Sequence, residues 1–526
     1  MKQLTLTIAS CLALTLTACS DDNDNTKQTD TKVPHPEDIK GVNIWFDSGK
    51  AEIIAAKTTM SNNEKGAAKN VILFVGDGMG ISTVTAARIL QGQNQGKLGE
   101  ENLLSFETMP FAGLSKTYNT DYQTPDSAGT MTAMITGVKT RKGLVSIPSS
   151  VPRGNCAQSK DKHLTSALVL AEQSGMATGV ISTARLTHAT PAATYANSAD
   201  RDWENDAELT EEAKTNGCKD IASQLIDFPY GDGIEVALGG GRRNFLPKTV
   251  TDQEGDQGKR EDGKDLTAKW LSQYENAAYV WSKAGFDAIK PETTDHLLGL
   301  FEDSHMAYEA DRVNDKGGEP SLAEMTDKAI DILKKDKDGF FLVVEAGRID
   351  HGHHAGNAAR ALHDTIALSD AVKVALEKTN EKDTLIIATA DHSHVMTIGG
   401  YATRGNPILG LVKENDKQGN PKTTASLDNN GQPYTTLGYM NGKGYHAKGD
   451  DTRQIGRQDL TDIDVTHLDY HQEALIPLKS ETHASEDVGI YASGPSASLL
   501  TGTNEQNIIF HVMNHAANLT ERVTAR

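Results

Sequence analysis

Short apolar runs alternate with longer amphipathic segments along most of the chain. Five runs have the length and composition of buried strands, at 71–75, 177–182, 234–238, 340–344 and 384–388. The segments at 82–90, 127–135, 358–377 and 507–517 are typical of helices. Parallel strands covered on both faces by helices read as continuous apolar runs. The pattern therefore predicts an α/β fold whose central sheet is largely parallel and flanked by helices.

The segment from about 395 to 468 breaks this alternation. It is rich in Gly, Asn, Asp and Lys and has no long apolar run. Such composition favours turns and short surface strands over core elements. We therefore expect an insertion here, within a single globular domain that extends from 41 to 526.

The first forty residues differ from the rest of the chain. Residues 1–18 contain one early basic residue and an apolar stretch too short to span a bilayer, and Cys19 follows Leu16-Thr17-Ala18. This segment resembles a bacterial lipoprotein signal peptide, which implies lipidation at Cys19. An ordinary signal peptide with an incidental cysteine is the alternative. Residues 19–40 are polar and are predicted to form a disordered tether.

The leader predicts an exported protein that is lipid-anchored in the bacterial envelope, in the periplasm or at the outer membrane. Ser20, rather than Asp, after the lipidated position favours the outer membrane. Two cysteines remain in the mature chain, Cys156 and Cys218. In an oxidising compartment they can form a disulfide, and two free thiols are the alternative.

The formal net charge of −20 excludes one class of function and raises a question about another. A surface this acidic argues against a nucleic-acid-binding role, because phosphate backbones are bound by Lys and Arg. An acidic enzyme that acts on an anionic substrate needs a local positive centre. Bound metal ions are the obvious source of that charge.

Two motifs lie at the ends of predicted elements, one after a strand and one at the start of a helix. VGDGMG at 75–80 places Asp77 in a glycine-rich turn at a strand end. The glycine spacing is not that of a dinucleotide-binding loop, so the two remaining interpretations are that Asp77 is a metal ligand or that the segment is only a structural turn. TPDSAGT at 124–130 places Ser127 near the start of a helix, where the dipole and free N–H groups favour an anion. The alternative is that Ser127 is only a helix N-cap.

A third motif is far more specific. EAGRIDHGHH at 345–354 brings three histidines and two carboxylates directly after a strand. Asp350 and His354 are four residues apart, so one helical turn places both on the same face, as a zinc site requires. The spacing is not HExxH, which disfavours a thermolysin-like protease. A solvated surface patch is the alternative. TADHSH at 389–394 delivers a further pair, Asp391 and His392, to a strand end.

Together these motifs resemble the alkaline phosphatase family. DGMG, DSAGT, EAGRIDHGHH, TADHSH and SETHASEDV occur in the family's order and with family-like spacing, from about residue 70 to the C-terminus. The resemblance implies hydrolysis of phosphate monoesters through a covalent phosphoserine, releasing inorganic phosphate and an alcohol. It also implies two Zn²⁺ and one Mg²⁺ per chain, a homodimer, and a crown-like role for the 395–468 insertion.

The resemblance also implies individual residue roles. Those roles are nucleophile for Ser127, phosphate clamp for Arg201, first-zinc ligands for Asp350, His354 and His483, second-zinc ligands for Asp77, Asp391 and His392, and magnesium ligands for Asp77, Thr190 and Glu345. His188 and His351 stand where the best-known enterobacterial members have Asp and Lys, and they are similar to animal and some marine bacterial members. His188 would reach the third metal directly or through water.

Three other functions fit parts of this pattern. A phosphodiesterase or mutase of the same fold is disfavoured by Arg201 and the complete three-metal ligand set. A sulfatase is disfavoured because Ser127 lacks the C/S-x-P-x-R context. A binding lipoprotein that captures metal or phosphate would not need an intact nucleophile.

Overall fold

The predicted strands lie in one ten-stranded sheet. The computed structural model describes residues 41, 43–59, 68–444 and 457–525, all within one compact unit. Its strands are β1 (Asn70–Gly76), β2 (Phe111–Lys116), β3 (Ala177–Arg185), β4 (Val236–Gly240), β5 (Ala277–Val280), β6 (His296–Leu300), β7 (Phe340–Ala346), β8 (Thr384–Ala390), β9 (Ser393–His394), β10 (Met396–Ile398), β11 (Leu437–Gly442), β12 (Ala474–Pro477), β13 (His483–Ala484), β14 (Val488–Ser493) and β15 (Gly502–Glu505).

The strand order in the large sheet is β15-β2-β14-β8-β1-β7-β3-β4-β6-β5. Neighbours from β8 to β5 are all parallel, whereas β14 runs antiparallel to both β8 and β2. The prediction of a largely parallel α/β sheet is therefore confirmed. The antiparallel strand lies near one edge of the sheet and carries the chain back after the 395–468 segment.

Helices cover the sheet. In the described part of the chain they are α1 (Ile44–Thr59), α2 (Ile81–Asn94), α3 (Ser127–Thr136), α4 (Cys156–Ser159), α5 (Ala167–Gln173), α6 (Ala189–Tyr195), α7 (Glu211–Asn216), α8 (Ile221–Ile226), α9 (Leu266–Gln273), α10 (Lys283–Ala288), α11 (Leu322–Leu333), α12 (Arg348–His354), α13 (Ala358–Lys378), α14 (Ile508–Ala517) and α15 (Leu519–Ala525). The longest, α13, buries one apolar face against α2, α11 and α12.

The register of the central strands determines where the polar residues meet. Gly76 at the end of β1 pairs with Ala346 on β7 and with Ala390 on β8. The carboxyl ends of three neighbouring strands are therefore level. Asp77 and Asp391 come directly after two of these ends, and polar groups at this edge of a parallel sheet face a common crevice.

The 395–468 segment lies partly outside the large sheet. β10 and β11 form a three-stranded sheet with β12, and β9 pairs separately with β13. Residues 445–456 are outside the described part of the chain. The exact limits of the insertion remain a prediction.

A disulfide joins Cys156 in α4 to Cys218 just after α7, with Cα atoms 6.0 Å apart. The bond closes a loop of 62 residues, which contains Thr190 and Arg201. A loop of this length contributes about 4 kcal/mol to stability in the chain-entropy model. Cys156 and Cys218 are therefore not free thiols in this structure.

The leader, Cys19 and the tether lie outside the described residues. Within the described ranges, none of the helices combines the length and the apolar composition that crossing a bilayer requires.

Candidate active site

Ser127 is the first residue of a fully buried helix, α3. The N-cap of this helix is Asp126, whose carboxylate accepts a hydrogen bond from the N–H of Gly129 at 3.2 Å. The alternative that Ser127 serves only as the cap is therefore wrong. Its hydroxyl lies instead at the positive end of the helix, free to face the neighbouring strand ends.

Two side chains lie within 3.4 Å of the Ser127 hydroxyl. Its Oγ is 3.4 Å from Oδ1 of Asp77 and 3.2 Å from Nε2 of His392. The same Nε2 is 3.3 Å from Asp77 Oδ1 and 3.4 Å from Oδ2 of Asp391. Four ligands bound tetrahedrally to zinc at about 2.0–2.1 Å are about 3.3–3.4 Å apart. Nε2 of His392 lies close to that spacing from each of the other three atoms, and so does Ser127 Oγ from Asp77 Oδ1.

Three further candidate ligand atoms, from Asp350, His354 and His483, lie at similar distances from one another. Nε2 of His354 is 3.1 Å from Nε2 of His483, and Oδ1 of Asp350 is 3.3 and 3.4 Å from them, respectively. Asp350 and His354 both lie on α12, one turn apart, as the sequence predicted. His483 reaches them from β13.

The tautomers of these two histidines point to a cation. Nδ1 of His354 donates to the carbonyl oxygen of Glu481 at 2.7 Å, and Nδ1 of His483 donates to that of Pro125 at 2.8 Å. In the neutral rings, each Nε2 therefore carries a lone pair. Two lone pairs facing each other at 3.1 Å repel unless a positive ion lies between them.

A third group of buried polar atoms near Asp77 has no hydrogen-bond partner. These atoms are Oδ2 of Asp77, Oγ1 of Thr190, Oε1 of Glu345 and Nδ1 of His188. The Asp77, Glu345 and His188 ligand atoms lie within 4.8 Å of one another. Buried polar groups are almost always paired, so this convergence indicates a missing partner. Three of the four atoms are oxygens, and oxygen ligands are those that Mg²⁺ prefers.

The electrostatics of the crevice require positive charge. Burial raises the pKa of Asp77 well above its usual value, and repulsion by neighbouring carboxylates raises it further. Burial likewise raises the pKa of Glu345 to about 7 and shifts that of Asp391 upward. Within the protein alone, these carboxylates are therefore held at high free energy. Divalent cations between them would offset that cost.

His394 and Glu481 belong to the site but were not among the residues predicted from the sequence. Nε2 of His394 donates to Asp350 at 2.8 Å and Nδ1 donates to Glu481 at 2.5 Å. Despite burial, these two carboxylates raise the pKa of His394 to about 10, so the charged ring holds Asp350 in place. Their positions inside the TADHSH and SETHASEDV motifs were the available signal.

Arg201 lies beside the start of α3. Its Nη1 donates to Asp126 and its Nη2 donates to Nε2 of His188, both at 3.1 Å. Asp126 also accepts from Asn119 and from the N–H of Gly143, so it is fully held by the protein. The guanidinium is thereby fixed next to Ser127.

The two histidines that the sequence predicts near the third metal, His188 and His351, have different surroundings. Because Arg201 only donates, Nε2 of His188 accepts and Nδ1 carries the proton. With its proton on Nδ1, His188 would contact a cation among these atoms through water rather than directly. His351 contacts Arg348 instead, at 3.1 Å. His353, the remaining histidine of EAGRIDHGHH, is hydrogen-bonded to Thr83 and Tyr439 in the core.

Comparison with known proteins identifies the family. Residues 68–519 match the family model described as alkaline phosphatase. The chain is 45% identical over 491 residues to the tissue-nonspecific isozyme of alkaline phosphatase from Gallus gallus, covering 92% of this chain and 90% of that protein. It is 41% identical to an alkaline phosphatase of Gadus morhua, covering 92% and 98%.

Solved structures show the same fold. The alkaline phosphatase of Thermus thermophilus superposes with a TM-score of 0.59 at 24% identity, covering 89% of this chain and 99% of that one. A cold-active enzyme from Shewanella sp. gives a TM-score of 0.56 at 21% identity, covering 86% and 99%. The chain therefore belongs to the alkaline phosphatase family, hydrolyses phosphate monoesters through a covalent phosphoserine, and depends on divalent metal ions.

Proposed function

We propose that the crevice holds two Zn²⁺ and one Mg²⁺, and that Ser127 is the residue that becomes phosphorylated. The first zinc is assigned to Asp350, His354 and His483, the second to Asp77, Asp391 and His392, and the magnesium to Asp77, Thr190 and Glu345. The observation that carries this proposal is the spacing of His392 Nε2 from Ser127 Oγ, Asp77 Oδ1 and Asp391 Oδ2, which matches the spacing of ligands around a tetrahedral zinc.

The protein groups have distinct tasks in this scheme. The bound metals would supply positive charge that lowers the pKa of the Ser127 hydroxyl and offsets charge on the phosphoryl oxygens. Arg201 offers a planar guanidinium to those oxygens. Asp126 orients that guanidinium through the 3.1 Å contact, and the start of α3 favours the serine alkoxide.

The same proposal covers the location and assembly of the protein. Cys19 is assigned as the lipidated residue, which would anchor an exported protein in the bacterial envelope. A relative from Bombyx mori, 41% identical over 459 residues, is named a membrane-bound alkaline phosphatase. A homodimer with the 395–468 segment near its interface rests on analogy with the family.

Replacing Ser127 by Ala should abolish most phosphatase activity without removing zinc, because Asp77, Asp391 and His392 remain. Brief incubation with labelled inorganic phosphate at acidic pH, followed by denaturation and peptide mapping, should mark Ser127 in the wild-type protein. The variant should take up no label. Label on another residue would overturn the assignment.

Arg201→Ala should lower kcat/KM for a small aryl phosphate by roughly 30- to 150-fold, because it loses one charge-assisted contact of about 2–3 kcal/mol. It should keep its zinc. His354→Ala should lose zinc and much more activity. Arg153→Ala is the matched control, because that arginine pairs with Asp200 and Asp202 nearby. Loss of metal from Arg201→Ala, measured by elemental analysis, would contradict the role assigned to it.

Cys19→Ala should release the protein from membranes or stop its processing, because the thiol that accepts the lipid is removed. Cys11→Ala provides the control, since it changes the other cysteine of the leader. Fractionation of cells and mass spectrometry of the mature N-terminus give the answer. Membrane association of Cys19→Ala equal to that of Cys11→Ala would exclude the anchor.

A further inference from the structure

One strand of the 395–468 segment, β11, contacts both parts of the chain that supply the candidate ligands of the first zinc. Tyr439 and Asn441 are two residues apart on this strand, so their side chains point to the same face. Met440, between them, points to the opposite face and is 54% exposed. The face that carries Tyr439 and Asn441 contacts α12 and Thr482, the residue before β13.

Asn441 holds the residue that precedes the ligand His483. The backbone N–H of Thr482 donates to Oδ1 of Asn441 at 3.0 Å, and Nδ2 of Asn441 donates to Oγ1 of Thr482, also at 3.0 Å. The backbone N–H can only donate, so it fixes which end of the amide is the oxygen. Two hydrogen bonds to one residue restrict its backbone, and the next residue in the chain, His483, extends from that backbone.

Tyr439 fixes the same strand to the helix that carries the other two candidate ligands. Its hydroxyl is 2.8 Å from Nδ1 of His353 on α12, and both side chains are buried. The ring of His353 stacks on that of His394, with centroids 4.8 Å apart. β11 is also the middle strand of its sheet, paired with β10 and β12. Asn441 is therefore carried by a rigid element whose position relative to α12 is set.

The two neighbours of Thr482 in the chain are held by other groups. The N–H of Glu481 donates to the carbonyl oxygen of His354 at 3.0 Å, and Nδ1 of His483 donates to the carbonyl oxygen of Pro125 at 2.8 Å. Thr482 itself is exposed, so without Asn441 its N–H would turn to water. Loss of the Asn441 amide would leave all three candidate ligands in place and loosen the backbone that joins His483 to the rest of the site.

We propose that Asn441 is a positioning residue for His483, through which the inserted sheet stabilises the first zinc site without supplying any of its assigned ligands. This inference rests on the proposed function, which assigns the first zinc to Asp350, His354 and His483. A ligand whose backbone is restricted loses less conformational entropy on binding and moves away from the metal less often. The contact between Asn441 and Thr482 should therefore slow the release of zinc from this site.

The test measures the rate at which the zinc- and magnesium-loaded protein releases Zn²⁺ to an excess of the chromogenic chelator pyridylazoresorcinol. His483→Ala removes a ligand of the first site and so identifies which zinc equivalent leaves from it. Asn441→Ala should release that equivalent about 10-fold faster than wild type and the other equivalent at the wild-type rate. Met440→Ala is the matched control on the opposite face of β11 and should release both at the wild-type rates.

Asn441→Asp should restore part of the slow release, because its carboxylate still accepts from the N–H of Thr482. Wild-type release of both equivalents by Asn441→Ala would overturn the positioning role. Equal acceleration of both equivalents would overturn it as well, since that result indicates a general loss of stability. Retention of both zinc equivalents by His483→Ala, released at the wild-type rates, would instead contradict the ligand set of the proposed function.

Discussion

Mutual repulsion among buried carboxylates is the constraint on which the site depends. The parallel register of β1, β7 and β8 brings Asp77, Glu345 and Asp391 to one edge of the sheet, where all three are fully buried. Burial and repulsion raise the pKa of each of them. Such an arrangement lowers the stability of the protein alone and favours the binding of divalent cations, whose positive charge lets an acidic chain act on an anionic substrate.

The rest of the site holds this charged cluster in position. Gly78 follows Asp77 with a φ of +69°, and a side chain there would collide with the ring of His394 at 2.3 Å. Backbone carbonyls fix the tautomers of His354 and His483, and Glu481 and His394 hold Asp350. These contacts restrict the orientations of the candidate ligand side chains, which would limit the conformational entropy lost on metal binding.

Much of this architecture could be predicted from the sequence because the central strands are continuous apolar runs, such as FFLVV in β7, and the candidate metal ligands follow these runs directly. Short or alternating strands such as β5 and β15 gave no comparable signal. The role of His394 could not be predicted in the same way, because it depends on a contact with Glu481, a residue far away in the chain.

The thermal unfolding of wild type and Asp77→Asn at pH 8, each with zinc and magnesium and with a chelator, tests the central claim most directly. Asp77 has a raised pKa in the folded protein, so without metal it lowers stability at every pH above the value for the unfolded chain. The metal-loaded wild type should therefore unfold at a higher temperature than the metal-loaded variant, whereas the chelated variant should unfold at a higher temperature than the chelated wild type. A variant that is less stable than wild type in both states would contradict the account.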